Sequence, residues 1–352
     1  MRGVTRCFWH IADGLINHFQ NDAIIFSPAY RDYGMARHIH SFKTDFKGSY
    51  RLGLHGLMDK WAEWASNRAR AKLFFSPYYG KAHPKAAEIF MVHDMIHALP
   101  QYRIDEHPLK IRFRSEVKQC LERAAGLIAV SENTARDIVE LYPHIRPDKI
   151  FVVHHGVDAF FGDDNFRMPA PQNAKPYFLF VGNRGGYKNF MRLLIAFGQS
   201  GLAKDFDLRV ISPVEKNFNK AEMEQILKYR LDQSIHIVGA ASETDLRANF
   251  AQSAAFVYPS EYEGFGLPIL EAMASGALVA TSNCSSMPEV GGSAAFYFDP
   301  FKFDSISDCL KRIANLSAAE KNQLKKIGLA RAQTFTWERA VFQTVQVINR
   351  CV

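Results

Sequence analysis

The sequence predicts a doubly wound α/β architecture built twice over. Three observations carry that expectation. Short continuous apolar runs alternate with longer amphipathic ones, the pattern of parallel strands covered by helices on both faces. A Pro-rich, apolar-poor stretch at residues 161–176, with Pro169, Pro171 and Pro176, splits the alternation into halves of similar size. A chain of 352 residues suits two domains of roughly 100–200 residues each.

The elements follow in order. The chain opens at a Gly-containing turn, Gly3-Val4-Thr5-Arg6, which runs straight into a helix with Val4, Phe8, Ile11 and Leu15 on one face. A doubly wound domain places a strand before such a turn, so a central strand of the first sheet is expected ahead of Gly3 in the natural gene. Strands rich in β-branched and aromatic residues are expected at 23–26, 72–75, 89–92, 126–130 and 150–154. After the break they resume at 177–181, 208–211, 235–238, 255–258 and 278–280. Helices are expected at 115–125, with Ser115 as a cap, and at 189–197 and 243–250. The final stretch, 337–352, is amphipathic, with Val341, Val345 and Ile348 on one stripe. The domains are therefore set at 1–165 and 170–335, followed by a terminal helix at 336–352.

Composition narrows the class. Hydrophobic residues make up 47% and charged residues 22%, which excludes a disordered chain, a collagen and a coiled coil. No apolar run approaches the roughly 18 residues of a membrane span, and the N-terminus lacks the apolar core of a signal peptide. The five cysteines form no CxxC pair, so free thiols and a cytoplasmic setting are expected. Net charge is +7, and residues 31–123 hold the whole excess, with 17 Lys/Arg against 10 Asp/Glu. Such a patch suits anionic lipid headgroups, a phosphorylated substrate or nucleic acid. Trp61 and Trp64 share a helical stripe within it and fit either a membrane surface or the core.

Chemistry is expected at three strand ends. The stretch Tyr258-Pro-Ser-Glu-Tyr-Glu-Gly-Phe-Gly-Leu-Pro-Ile-Leu-Glu-Ala-Met-Ala-Ser-Gly276 places Gly264 and Gly266 before a helix that Pro268 starts and Gly276 stops. Bare amides at that helix start suit a diphosphate. Glu263 in the loop and Glu271, placed in the first helical turn, flank it and suit the hydroxyls of a sugar and a ribose. In Phe180-Val-Gly-Asn-Arg-Gly-Gly-Tyr-Lys-Asn189, a strand ends in a Gly-rich turn carrying Arg184 and Lys188, two cations able to neutralise a leaving diphosphate. In Met91-Val-His-Asp-Met-Ile-His97, a strand runs out into His93 and Asp94, where open α/β sheets bind ligands. The His93/His97 spacing lies at a strand end without the HExxH glutamate, so no metal is expected.

Together these residues resemble a retaining glycosyltransferase of the GT-B fold, family GT4. The resemblance rests on Glu263-Gly-Phe-Gly-Leu-Pro-Ile-Leu-Glu271 behind Tyr-Pro-Ser, and on Ser285-Ser-Met-Pro-Glu-Val-Gly-Gly292. It extends to the turn at 181–189, to Ala129-Val-Ser-Glu-Asn-Thr-Ala-Arg-Asp137 and to His155-Gly-Val-Asp158, covering nearly the whole chain from Gly3. It implies two Rossmann-like domains facing a cleft, with the terminal helix crossing back to the first.

The resemblance also implies roles. Glu263 would contact the donor sugar and Glu271 the ribose. Arg184 and Lys188 would hold the diphosphate, and His93 would line the reaction centre. Gly182, Asn183, Val238, Gly264, Phe265, Gly266 and Leu267 would complete the donor site. Gly3 and Asp94 would serve the phosphate loop and acceptor side. The implied reaction transfers a sugar with retention, without metal or other cofactor, from a nucleotide sugar. GDP-mannose is favoured, and the acceptor would be a surface glycan, oligosaccharide or lipid-linked. The enzyme would be cytoplasmic, at the inner face of the plasma membrane, with an anionic membrane surface as partner and no nucleic acid.

The chain departs from the family pattern at three places. Tyr187 stands where many relatives have Arg, His155 stands where Asn is frequent, and the first strand is missing. Two rival readings are a non-catalytic sugar-nucleotide-binding protein and an NAD-dependent dehydrogenase. The second lacks its GxGxxG fingerprint.

Overall fold

The structure, a computed structural model, describes residues 3–19, 73–76, 87–102, 108–163, 175–212, 217–239 and 241–351. The strand expected at 23–26, Trp61 and Trp64, most of the basic stretch, and 164–174 of the break lie outside them.

The first half begins with helix α1 (Gly3–Phe19), followed by strands β1 (Leu73–Ser76) and β2 (Ala87–Val92). Helix α2 (Pro108–Arg123), β3 (Gly126–Ala129), α3 (Glu132–Leu141) and β4 (Ile150–Val152) complete it. The four strands form a wholly parallel sheet in chain order. Helix α2 starts seven residues before the expected 115. Its first turn, Pro108-Leu-Lys-Ile, is opened by a proline, whose fixed φ suits position N1. The strand expected ahead of Gly3 has no counterpart among the described residues. β1 bonds on one side to β2, and no described strand lies on its other edge.

The second half runs β5 (Tyr177–Val181), α4 (Phe190–Ser200), β6 (Asp207–Ile211), α5 (Lys220–Lys228), β7 (Ile235–Val238), α6 (Glu243–Gln252) and β8 (Ala255–Tyr258). It continues with α7 (Leu267–Ala274), β9 (Val279–Ser282), α8 (Met287–Gly291), β10 (Ala295–Phe298), α9 (Phe303–Ala314) and α10 (Ala318–Gln333). All six strands are parallel, in the order β10-β9-β8-β5-β6-β7. The chain leaves β5 toward β6 and later resumes at β8 on the other side. The switch point therefore lies between β5 and β8, and open sheets bind ligands beyond the strand ends at such a point. Burial explains why these strands were visible as solid apolar runs: Phe178, Leu179, Phe256 and Val257 are fully buried.

Helix α11 (Trp337–Cys351) returns to the first half, lying against α1, β2 and β3. Its buried Ala340, Val345 and Ile348 join a cluster with Cys7, Ile11, Leu15, Ile89, Met91 and Ile128. Two glycines permit the approach. A Cβ on Gly14 would stand 2.4 Å from a Val341 methyl carbon, and one on Gly126 would stand 2.6 Å from Cys351 Sγ. The same cluster continues through Phe161 and Phe265 to Ile269 and Leu270 of α7, so one apolar seam joins the halves. Among the described residues no helix is long and apolar enough to cross a membrane. All five cysteines are free.

Candidate active site

The loops after β5 and β8 meet at the switch point. Asn189 takes a left-handed conformation (φ 60°) as the cap of α4, which turns its side chain toward the neighbouring loop. Its Nδ2 donates to the carbonyls of Pro259 (2.9 Å) and Pro300 (2.8 Å). The Glu261 amide donates to the Tyr187 carbonyl at 2.7 Å. These bonds fix Lys188 beside the β8 loop. Its Nζ donates to Glu263 Oε1 at 2.6 Å and to the Tyr258 hydroxyl at 3.2 Å. Burial works against the Lys188 charge, but Glu263, Tyr258 and Tyr187 outweigh it and hold the ammonium well above its ordinary pKa.

Glu263 is held by the downstream Ser-Ser motif. Its amide donates to Ser285 Oγ at 3.1 Å. Its carbonyl accepts from Ser285 Oγ at 2.7 Å and from Ser286 Oγ at 2.9 Å. Ser286 also donates to the Phe265 carbonyl at 2.8 Å. Gly266 then turns into α7 at φ +106°, with Pro268 in the first turn. Glu271 falls just past that turn, in the second, because the helix begins at Leu267, one residue ahead of Pro268.

The first half closes on this loop. The Gly264 carbonyl accepts from Ser131 Oγ (2.6 Å) and Thr134 Oγ1 (3.1 Å) at the start of α3. A Cβ on Gly264 would lie 1.6 Å from the His93 carbonyl oxygen and 2.8 Å from Asp94 Cβ, so only glycine fits. The Tyr262 hydroxyl accepts from the Met95 amide (3.1 Å) and donates to Asp137 (2.6 Å). Glu289 on α8 reaches back across the halves. It meets His154 at 2.5 Å and accepts from the Glu132 amide (2.8 Å) and the Asn133 amide (3.4 Å) at the open end of α3. His93, Asp94, Lys188, Glu263 and Gly264 thus share one place. Burial, and then the charge on Glu263, push the Asp94 carboxyl above its ordinary pKa, while the Ile96 amide and Lys188 pull the other way.

Arg184 stands on the expected turn, and its side chain reaches the start of α5. Nε and Nη2 donate to Glu222 at 2.9 and 3.1 Å, Nη2 also reaches the Asn217 carbonyl at 2.5 Å, and the guanidinium packs on Phe190 and Phe218. Both partners are buried, and a planar fork matched to a carboxylate stays there. Glu222 is also the capping-box residue of α5, so this ion pair anchors the turn to that helix.

Arg6, absent from the expected set, occupies the cleft. It lies on the first turn of α1, in the Gly3 segment. It pairs with Glu271, with Asp158 (2.8 Å) and with Glu243 (3.0 Å). Burial opposes its charge, and the three carboxylates more than compensate, Glu271 first. Burial raises the Glu271 carboxyl, and Arg6 only partly offsets it. The pairing spans 265 residues, and no spacing in the sequence marks Arg6 as the partner of Glu271.

The other expected residues are dispersed. Gly182 turns out of β5 at φ +143°, with Asn183 exposed next to it. Val238 ends β7, the edge strand two places from β5. Phe265 and Leu267 pack in the seam. His97 turns its ring edge-on to Phe113 (5.4 Å between centroids) and does not join His93. His93 instead faces His155, with ring centroids 5.4 Å apart. Burial, then His93 and His154, drive the His155 imidazole well below its ordinary pKa, and burial pushes the neighbouring Cys7 thiol up.

A cation and a carboxylate at the switch point of one parallel sheet, closed over by the strand end of a second, define a GT-B glycosyltransferase. The family comparison agrees. The models for Glycosyl transferases group 1 and Glycosyltransferase Family 4 match residues 163–331 and 1–159, one on each half. The chain belongs to the glycosyltransferases of family GT4. It is 27% identical over 301 residues to the O-antigen chain mannosyltransferase B of Escherichia coli, covering 80% of this chain and 75% of that one. It is 27% identical over 274 residues to the serotype-specific mannosyltransferase WbdA of Escherichia coli, 74% of this chain but only 33% of the relative's length. Among solved structures it resembles Anabaena HepE in complex with UDP and glucose, with TM-score 0.66 and 15% identity, covering 85% of this chain and 83% of that one.

Proposed function

We propose that this glycosyltransferase moves a mannosyl residue from GDP-mannose, with retention, to a growing surface glycan on a lipid carrier, at the cytoplasmic face of the membrane. The observation that carries the reading is the Lys188–Glu263 contact at the switch point, opposite His93. The named mannosyltransferases among the relatives favour the sugar and the class of acceptor.

On this reading Glu263 exchanges its bond to Lys188 for sugar hydroxyls when the donor enters. Lys188 turns to the diphosphate, where charge grows as the glycosidic bond breaks. A cation already fixed on a βα turn meets that charge without reorganising, so it acts more strongly in the transition state than in the ground state. The acceptor oxygen attacks from the face the diphosphate leaves, and its proton passes to the departing phosphate. Glu271 takes the ribose hydroxyls. Front-face attack requires no nucleophile held against the sugar carbon.

A thermal-shift screen of nucleotide sugars and NAD tests the binding step, because a ligand that binds the folded chain raises its melting temperature. GDP-mannose should raise it most, and incubation with a lipid-linked acceptor should give an α-linked product by NMR. A shift with NAD alone, or a β-linked product, would overturn the reading.

A further inference from the structure

Beneath the cleft, three side chains converge that the transfer reaction does not use together. Cys7 comes from the second turn of α1, His93 from the end of β2, and His155 from the segment after β4. They are 1%, 9% and 4% exposed, and their ligand atoms all lie within 4.8 Å of one another. Cys7 Sγ is 3.3 Å from His155 Nδ1 and 3.5 Å from Met91 Sδ. The rings of Phe265 and Trp337 wall the far side of His155, with centroids at 5.2 and 5.6 Å.

We propose that Cys7, His93 and His155 form a binding site for a zinc-class transition-metal ion. Chemistry and spacing argue for it. One thiol and two imidazoles are the soft and borderline donors that zinc takes, in the three-ligand arrangement that leaves a fourth position open. Zn–S of about 2.3 Å and Zn–N of about 2.0 Å in a tetrahedron put sulfur and nitrogen roughly 3.5 Å apart, close to the Cys7–His155 separation. The remaining edges need movements of about 1 Å, which side-chain rotation supplies without moving a strand. The donors come from three elements already packed together by α11, so the site is assembled by the fold and not by a flexible loop. Binding replaces the thiol proton, which leaves to solvent, by the metal.

A consequence follows that rests on the proposed role of His93. A metal held there fixes the imidazole whose backbone touches Gly264, so the occupied and empty forms present different cleft floors to the donor.

The test uses the full chain and Co²⁺ as the probe, with no nucleotide sugar present, so its outcome is independent of the transferase reading. One equivalent of Co²⁺ should give the thiolate-to-cobalt charge-transfer band and the intense visible bands of a four-coordinate site, and Zn²⁺ should abolish both. Cys7→Ser should lose the charge-transfer band. His155→Asn keeps a polar atom near the Nδ1 position and should weaken binding by more than about tenfold. Circular dichroism identifies a variant that fails to fold, and the other variant then decides. Absence of the band in the native chain, a band of equal strength in a folded Cys7→Ser variant, or an unchanged Co²⁺ affinity in a folded His155→Asn variant, would overturn the site.

Discussion

Two arginines separate the two ways this fold uses a buried cation. Arg184 stands on the turn after β5, among the residues expected to hold the donor, and it fastens the turn to α5 through Glu222. Arg6 stands at the start of α1, in a segment with no motif of its own, yet it reaches across the cleft to Glu271. Position along the sequence assigned the first to the site and overlooked the second. The difference lies in the partner. A buried guanidinium goes where a carboxylate of matching geometry is buried with it, and neither Glu222 nor Glu271 is near its arginine in sequence.

The comparison is sharpest at Arg184 itself. Arg184→Met leaves Glu222 buried without its partner and should cost about 3–5 kcal/mol of stability in urea unfolding. Turnover of the folded fraction should stay within about threefold of the native rate, since the side chain is bonded to Glu222 and the Asn217 carbonyl and not to Lys188 or Glu263. Changing Glu222→Met in the same chain should return much of the stability, because an apolar pair of similar volume replaces the ion pair. A large loss of turnover in a still-stable Arg184→Met variant would restore Arg184 to the donor site.

Lys188 should behave in the opposite way. Lys188→Ala should reduce turnover by a factor of about 10²–10³, equivalent to about 2.7–4 kcal/mol, with a much smaller change in binding of the free nucleoside. Steady-state kinetics and isothermal titration separate the two quantities. If turnover survives, the leaving group is stabilised elsewhere, and Arg6 becomes the next cation to test.

Gly264 probes the closure between the halves. An alanine there meets the His93 carbonyl, a backbone atom that cannot rotate away, and overpacking of this kind costs about 1–3 kcal/mol. The clash displaces the loop that carries Glu263, so Gly264→Ala should lower the melting temperature and weaken donor binding by about ten- to hundredfold. Equal donor affinity in native and variant chains would show that donor binding does not need this contact.

How much of this was visible in the sequence follows the same local-versus-distant line. β5, β7 and β8 were read to the residue, because strands covered on both faces are unbroken apolar runs bounded by turns. β10 was missed: Ala-Phe-Tyr-Phe is four residues long, follows a Gly-Gly pair and exposes Tyr297. Lys188, Glu263 and Gly264 were legible because loops at a switch point have compact signatures. The ion pairs of Arg184 and Arg6, and the grouping of Cys7 with His155, were not legible. Each joins residues tens to hundreds of positions apart, and no period or spacing encodes such a contact.

The smallest expected effect concerns the bridge from α8 to α3. Burial alone would raise the Glu289 carboxyl. The hydrogen bond with His154 and those from the Glu132 and Asn133 amides outweigh it, and the net result lies below the ordinary carboxylate value. A carboxyl lowered by folding contributes stability that is fully present above its unfolded pKa of about 4.3 and is lost as pH falls through the folded value. Glu271 and Asp94 are raised instead, so they act with the opposite sign: their penalty is relieved as pH falls through their folded values. The total pH profile therefore mixes both signs, and only a difference isolates Glu289. Glu289→Gln keeps the size and an acceptor for the helix end but removes the charge and its titration. Urea midpoints of native and variant chains, taken from pH 7 downward, should differ by about 1 kcal/mol at neutral pH, as for loss of a helix cap. The gap should narrow as pH falls below the unfolded carboxylate value and close as native Glu289 takes up its proton at its lowered folded value. A gap that persists unchanged at low pH would mean that shape, and not charge, makes the bridge between the halves.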